Sequence, residues 1–381
     1  MKRPIRKLIC IAAAVIMTIS SSACGASKID PAEPETNTTS ATEAVTEAVT
    51  EAPEEQPTGA ETAVTKKKTK KKKAAKKENY NQLTGLYDVS NEGKGKRPCA
   101  VMVNNIEAAL PQYGIYDADV LFEIVAEGGI TRLMAVYSDE ADIPNVCSVR
   151  SARFYYMLFA QCFDAVYLHW GSDPIICRPM FTDLSIDHID GMSNGDIYDR
   201  DYDRMSYMDI EHTGYLKGPQ VMDEISALGI RQEIKDGYES IFSFYDEFTK
   251  PAGDDCAKAT VYFSDWYFSQ FDYNKKTKTY KKLHNGSKHM DQVKNKQLEF
   301  TNLVILEVPE IKVVSEKSKI VSFDMDGGSG YLLTAGKIKP IKWAKDGDFG
   351  KLELTNEDGS TLDLNTGKTY IGVTKTGTLR Y

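Results

Sequence analysis

The chain has 381 residues, 41% hydrophobic and 27% charged, with a formal net charge of −8. That exceeds one average domain and is ample to bury a core. Only one apolar run stands out, at the very start, which excludes a polytopic membrane protein. The average charge describes no part of the molecule, because residues 1–24 carry four bases and no acid, and 25–65 carry nine acids against Lys28. Residues 66–77 hold nine lysines, and what remains of the chain's 47 bases and 55 acids is 33 against 46, a balance of −13 from residue 78 onward.

Lys2, Arg3, Arg6 and Lys7 precede an apolar stretch over 8–19. Its length, about a dozen residues, is that of a signal-peptide core and too short to span a ~30 Å hydrocarbon layer. Small residues follow, Ser20-Ser21-Ser22-Ala23, and then Cys24-Gly25. This resembles a bacterial lipoprotein signal, in which the cysteine after a small residue becomes the lipidated N-terminus. Ala23 and Cys24 match, while Ser21 stands where Leu is commoner. Cleavage before Cys24 and a lipid anchor on the extracytoplasmic face of the bacterial membrane are expected, since two acyl chains suffice for stable attachment. An ordinary signal peptide cut near Ala23, without lipid, is the alternative.

Residues 25–65 are Thr, Glu, Ala and Pro with almost no large apolar side chain. They cannot bury enough surface to offset their ordering entropy, so 25–79 is expected to be a disordered tether, acidic and then lysine-rich. The run from Lys66 to Lys77 follows an export signal, which argues against nucleic acid as a partner. Anionic lipid or anionic wall polymer suits it, at roughly 1 kcal/mol per basic residue near a charged surface. The other reading is that it only keeps a linker extended.

From residue 80 the texture is globular. Short apolar runs over 99–103, 120–125 and 133–137 predict strands, with Asn104-Asn105 and Gly128-Gly129 as turns and 111–119 as loop. Residues 153–164 predict a buried helix and 165–170 a strand ending at Gly171. Residues 218–228 predict a helix with Val221, Met222, Ile225 and Leu228 on one face. Pro251-Ala252-Gly253 marks a boundary. Beyond it, strand patterns follow at 260–262, 266–273, 279–283, 298–308, 319–323, 330–334, 338–343, 351–355 and 369–373. Turns are expected at Asn285-Gly286, Gly327-Gly328, Asp346-Gly347 and Asp358-Gly359. The expected fold class is α+β: a mixed α/β N-terminal domain over 80–250, then a mostly-β C-terminal domain, sandwich- or barrel-like, over 251–381.

Several segments resemble one family. They are 101–105, Gln112-Tyr113-Gly114-Ile115, 127–132 (Glu-Gly-Gly-Ile-Thr-Arg), 149–153 (Val-Arg-Ser-Ala-Arg), Ile341-Lys342-Trp343 and 363–371. The chain is similar here to the YerB-like lipoproteins of Gram-positive bacteria, over about residues 95–375. The resemblance implies an N-terminal and a C-terminal domain and a membrane-anchored life; it carries over no catalytic residue. Glu211-His212-Thr213 stands where that family often has a Pro-His-Asn-like segment.

Arg132, Arg150 and Arg153 lie near glycine-rich or strand-end positions, and the planar fork of arginine suits carboxylate or phosphate. Two readings are open: an anion or ligand site, or an internal ion-pair network with Glu123, Glu127 and Asp164. Glu127 and His169 are candidate acid/base or orienting groups, His169 standing at a strand end beside Gly171-Ser172. Ordinary packing is the alternative for His169. Asp199, Asp201 and Asp203 imitate the start of a Ca²⁺ loop, but Arg204 and Ile210 stand where Gly and Glu are required, so these acids are expected to pair with neighbouring arginines. No zinc or Gly-x-Ser-x-Gly spacing occurs. Neither a metal nor a cofactor is expected. Cys99, Cys147, Cys162, Cys177 and Cys256 are widely spaced, against a dense disulfide scaffold. A nucleophilic Cys147 beside His169 is conceivable.

The expected function is therefore non-catalytic: a lipid-anchored exported protein binding an envelope component or a partner protein. A cell-wall-modifying enzyme with its site near Arg150, Arg153 and His169 is the main alternative. A solute-binding lipoprotein is disfavoured, because no pair of similar α/β lobes is visible.

Overall fold

The structure, a computed structural model, describes residues 79–381. The leader, Cys24, the acidic spacer and the run from Lys66 to Lys77 lie outside the described residues. Eleven strands form one sheet. In the N-terminal half these are β1 (Cys99–Asn104), β2 (Val120–Val125), β3 (Thr131–Tyr137), β4 (Val166–His169) and β5 (His188–Asp190). In the C-terminal half they are β6 (Asp254–Asp255), β7 (Asn302–Val308), β8 (Gly327–Thr334), β9 (Lys337–Lys345), β10 (Leu352–Asn356) and β11 (Thr369–Lys375). Their spatial order is β6-β9-β8-β7-β11-β2-β3-β1-β4-β5, with β10 on β9. The late strand β11 lies between the halves, parallel to both neighbours. Thr369 is level with Asn302 on one side and with Val120 on the other. The halves expected on either side of residue 251 thus share one continuous sheet.

Both faces of the sheet are buried at its central strands β1, β2, β3 and β7, whereas β9 leaves Lys342 and Ala344 exposed. Alternation along β1 sends Ala100 and Met102 to one face and Cys99, Val101 and Val103 to the other. The first face packs against α1 (Phe154–Gln161), whose Tyr155, Tyr156 and Phe159 are fully buried. The second meets a smaller antiparallel sheet built on Lys258–Tyr262, Phe268–Asn274 and Thr279–His284. The rings of Phe271 and Phe300 stand 4.7 and 5.7 Å from that of Tyr370 on β11. Burying each such side chain contributes roughly 1.5–3 kcal/mol relative to exposure. The remaining helices, α2 (Cys177–Asp183) and α3 (Val221–Ala227), also lie in the N-terminal half, and every regular element beyond residue 251 is a strand. The class is α+β.

Local differences from expectation have physical reasons. The helix expected over 218–228 begins with a 3₁₀ turn, Gly218–Gln220, and buries only Val221 and Ile225. Leu228 is exposed. Gly327-Gly328 is no turn but the start of β8. A Cβ on Gly328 would meet the Glu307 carbonyl oxygen at 2.6 Å and one on Gly330 the Ile305 oxygen at 2.3 Å, so glycine allows β8 to approach β7. The run 298–308 is cut at Thr301: Glu299–Phe300 pairs in the small sheet and β7 enters the large one. Asn285-Gly286 is a tight hairpin turn, both residues at positive φ (46° and 83°). All five described cysteines are buried free thiols.

Candidate functional site

Glu127 follows β2, Gly128 and Gly129 turn the chain at φ 62° and 81°, and Arg132 sits on β3. Arg150 and Arg153 lie in the segment that leads into α1. Strands β1, β2 and β4 all end on this side, so the group stands at the carboxyl ends of like-directed strands, a common ligand position in open sheets. One oxygen of Glu127 pairs with Arg132. The other accepts from Arg153 Nη2 and Nε at 2.9 and 3.2 Å. Arg132 also donates to the Ser151 carbonyl, and Arg153 to that of Ala152 at 2.8 Å.

Arg132 and Arg153 are buried, whereas the side chains of Glu127 and Arg150 each keep 25% of their surface. Arg150 turns to Glu211, donating to its carbonyl at 2.9 Å and approaching its carboxylate at 3.5 Å. Burial pushes the Glu127 carboxyl up, and Arg132 and Arg153 more than reverse that, holding it below the usual range. Burial, with Arg153 and Arg150 adding to it, lowers the Arg132 guanidinium to about 10. Arg132 and Arg153 thus converge on Glu127, while Arg150, close enough to repel Arg132, turns to Glu211 instead. Glu123 and Asp164 lie outside it: Glu123 pairs with Lys282, and Asp164 with Arg231 at 2.7 Å.

His169 is fully buried. Its Nδ1 is 2.9 Å from the Gly171 carbonyl and its Nε2 3.0 Å from His188 Nδ1, and the ring stacks on Phe181. Burial pushes it down to about 4. With both nitrogens engaged, it shares no hydrogen bond with the arginine group. Cys147 faces the His212 carbonyl at 3.9 Å, and burial lifts its thiol to about 11. His212 itself lies 3.0 Å from the Asn104 side chain.

The arginines among the 199–209 acids do not pair with them as expected. Arg200 lies 4.4 Å over the Trp170 ring and donates to the Ile210 carbonyl at 2.6 Å. Arg204 is buried and donates to the carbonyls of Ala109 and Pro111 at 2.8 and 2.9 Å. Asp201 instead accepts from Tyr113 OH at 3.0 Å. Arg204 is buried where unpaired C=O groups need donors, so backbone carbonyls outcompete the acids for it. Among the described residues no group of three His, Cys, Asp or Glu is placed to hold a metal.

Sequence reading passed over two features. One is a fully buried polar network: Glu123 accepts from Asn105, Thr131, Ser269 and Tyr370 at 2.7–3.0 Å, and Lys282 lies 3.1 Å from it. Lys282 in turn meets His289 at 3.1 Å, and His289 meets Gln112 at 2.9 Å. The signal was present, since strand alternation puts Lys282 and His284 on the same inward face as Tyr280. The other is a cleft of about 910 Å³ lined in part by Tyr113, Tyr202 and Tyr207. Its signal was tyrosine density, with Tyr198, Tyr202, Tyr207 and Tyr215 close in sequence.

Residues 83–231 match the family described as "Protein of unknown function (DUF3048) N-terminal domain", and residues 259–371 match its C-terminal domain. The chain belongs to the DUF3048 family. A relative from Bacillus subtilis, named "Putative lipoprotein YerB", is 26% identical over 295 residues, 76% of this chain and 85% of its own. The crystal structure of Bacillus subtilis YerB superimposes with a TM-score of 0.68 at 23% identity, covering 79% of this chain and 98% of that one. The DUF3048 fold is thus shared across both matched regions. The arginine group falls in the N-terminal match, as does most of the cleft; only residues 291–294 of the cleft come from the C-terminal match.

Proposed function

We propose that this DUF3048 protein is an exported, lipid-anchored binding protein that holds an anionic group of the cell envelope at Arg132, Arg150 and Arg153. The observation that carries this reading is the arginine excess: Arg132 and Arg153 share the single carboxylate of Glu127, and Arg150 reaches the Glu211 carboxylate only at 3.5 Å. On a body of balance −13 such a spot is local, and an anion with two oxygens fits guanidinium forks.

The leader ending at Cys24 and the lipoprotein name of the Bacillus subtilis relative support anchoring at the outer face of the membrane. The run from Lys66 to Lys77 would add salt-sensitive adhesion to anionic lipid or wall polymer. Purified poly(glycerol phosphate), an anionic wall polymer, tests the reading. The full mature chain should retain it, and R150Q/R153Q, with the lysine run unchanged, should retain clearly less. Equal retention by both overturns the assignment.

A further inference from the structure

We infer that the tyrosine-lined cleft is a second binding site, separate from the arginine group, and that it takes an uncharged oligosaccharide. The cleft, about 910 Å³, lies between the loop carrying Asp201 to Tyr207 and the turn Asp291 to Lys294. Its walls are set in advance. Asp291 accepts from Tyr116 N at 3.0 Å, Gln292 N donates to the Gln112 carbonyl at 2.8 Å, and Arg204 donates to the Gln292 side chain at 3.0 Å.

The charges along it are largely spent within the protein. Lys294 pairs with Asp117 at 3.0 Å, Arg204 is held by carbonyls, and Arg200 stacks on Trp170. Four acids and three bases line the cleft, so no free cation is left for a phosphate or a carboxylate. What faces the open space is aromatic and acidic: Tyr202 and Tyr207 are 71% and 58% exposed, Asp203 is exposed, and Tyr113, its hydroxyl donating to Asp201, also lines the cleft.

Exposed, unpacked aromatic rings beside fixed hydrogen-bonding groups mark a binding surface. The negative face of a tyrosine ring attracts the weakly positive C–H face of a pyranose. Carboxylate and phenol oxygens then take the sugar hydroxyls. A polyanion is disfavoured by the surplus acid, and nucleic acid by the lack of free cations.

Calorimetric titration of the full mature chain with the tetramer of N-acetylglucosamine tests this. Saturable binding is expected, weakened at least about tenfold, or 1.4 kcal/mol, in Y202A/Y207A. These rings are exposed, so the fold should survive, and an unchanged melting temperature checks that it does. D203N serves as a second variant and should weaken binding without moving the melting temperature. R150Q/R153Q should bind the tetramer as the natural chain does, which separates this site from the arginine group. Absence of saturable binding at millimolar tetramer, equal affinity in Y202A/Y207A, or displacement of the tetramer by poly(glycerol phosphate) would each overturn the inference.

Discussion

Glu123 and Lys282 lie 3.1 Å apart with neither side chain exposed to solvent. Glu123 is on β2 and Lys282 on the small sheet, so one ion pair joins the two halves through the core. Burial pushes the Glu123 carboxyl up, but Lys282 and the surrounding donors hold it below its usual range; burial lowers Lys282.

Removing one partner leaves a buried charge uncompensated. Lys282→Met should therefore destabilise the protein by about 3–5 kcal/mol. Glu123→Gln in addition should restore part of that loss, because the lone charge is gone. Urea unfolding of the single and double variants measures both. A loss under about 1 kcal/mol for Lys282→Met would show that the pair does not hold the halves together.

Acid should unfold the protein through the same region. Burial, then Lys282, pushes His284 down to about 4, and burial pushes His289 well below its usual value. Unfolded histidine titrates near ~6.5. Between those values the unfolded chain binds more protons, so stability is full above about pH 6.5 and falls as pH drops toward 4. Glu123 adds loss of the same sign as pH falls below the ordinary carboxylate range. Both ring nitrogens of His284 lack a protein partner, so His284→Phe should flatten the slope at little cost in hydrogen bonds. Melting temperature from pH 8 to 4 reads it, and an unaltered slope would place the effect elsewhere.

Glycine in β8 is needed for strand approach. Gly330→Ala puts a Cβ 2.3 Å from a backbone oxygen and should cost about 1–3 kcal/mol, while Gly195→Ala, with nothing within 4 Å, should be near neutral. Thermal melts of the two variants should separate clearly.

Glu127 competes with any incoming anion for Arg132 and Arg153. Glu127→Gln should raise retention of poly(glycerol phosphate) at low salt, and the gain should fade as salt screens the arginines. A fall in retention, with the fold intact, would make Glu127 part of the anion's own binding set.

The leader can be tested without reference to the fold. Cys24→Ala should leave the protein unprocessed or released from membranes in a fractionation experiment. Mature-size protein that stays membrane-bound would exclude the lipid anchor.

The longer strands were legible because short β-branched and aromatic runs, punctuated by Gly and Asn, can hardly be anything else, whereas the two- and three-residue edge strands Asp254–Asp255 and His188–Asp190 carry no such run and were not read. The runs at 120–125 and 369–373 were read nearly to the residue. The convergence of arginines near Glu127 was legible only as one of two readings. The partners of Glu123, Asp164 and Arg204 were not legible at all, since each lies far away in sequence.

By itself the sequence determined the local elements, the charge blocks along the chain and the leader chemistry, all of which depend on neighbours a few residues apart. Only the tertiary structure decided that Thr369–Lys375 slots between strands from both halves, that Lys282 answers Glu123, and that tyrosines from two loops face one cleft. A strand's apolar pattern states which face it buries but not which strand lies beside it. That choice follows from loop closure and packing summed over the whole chain.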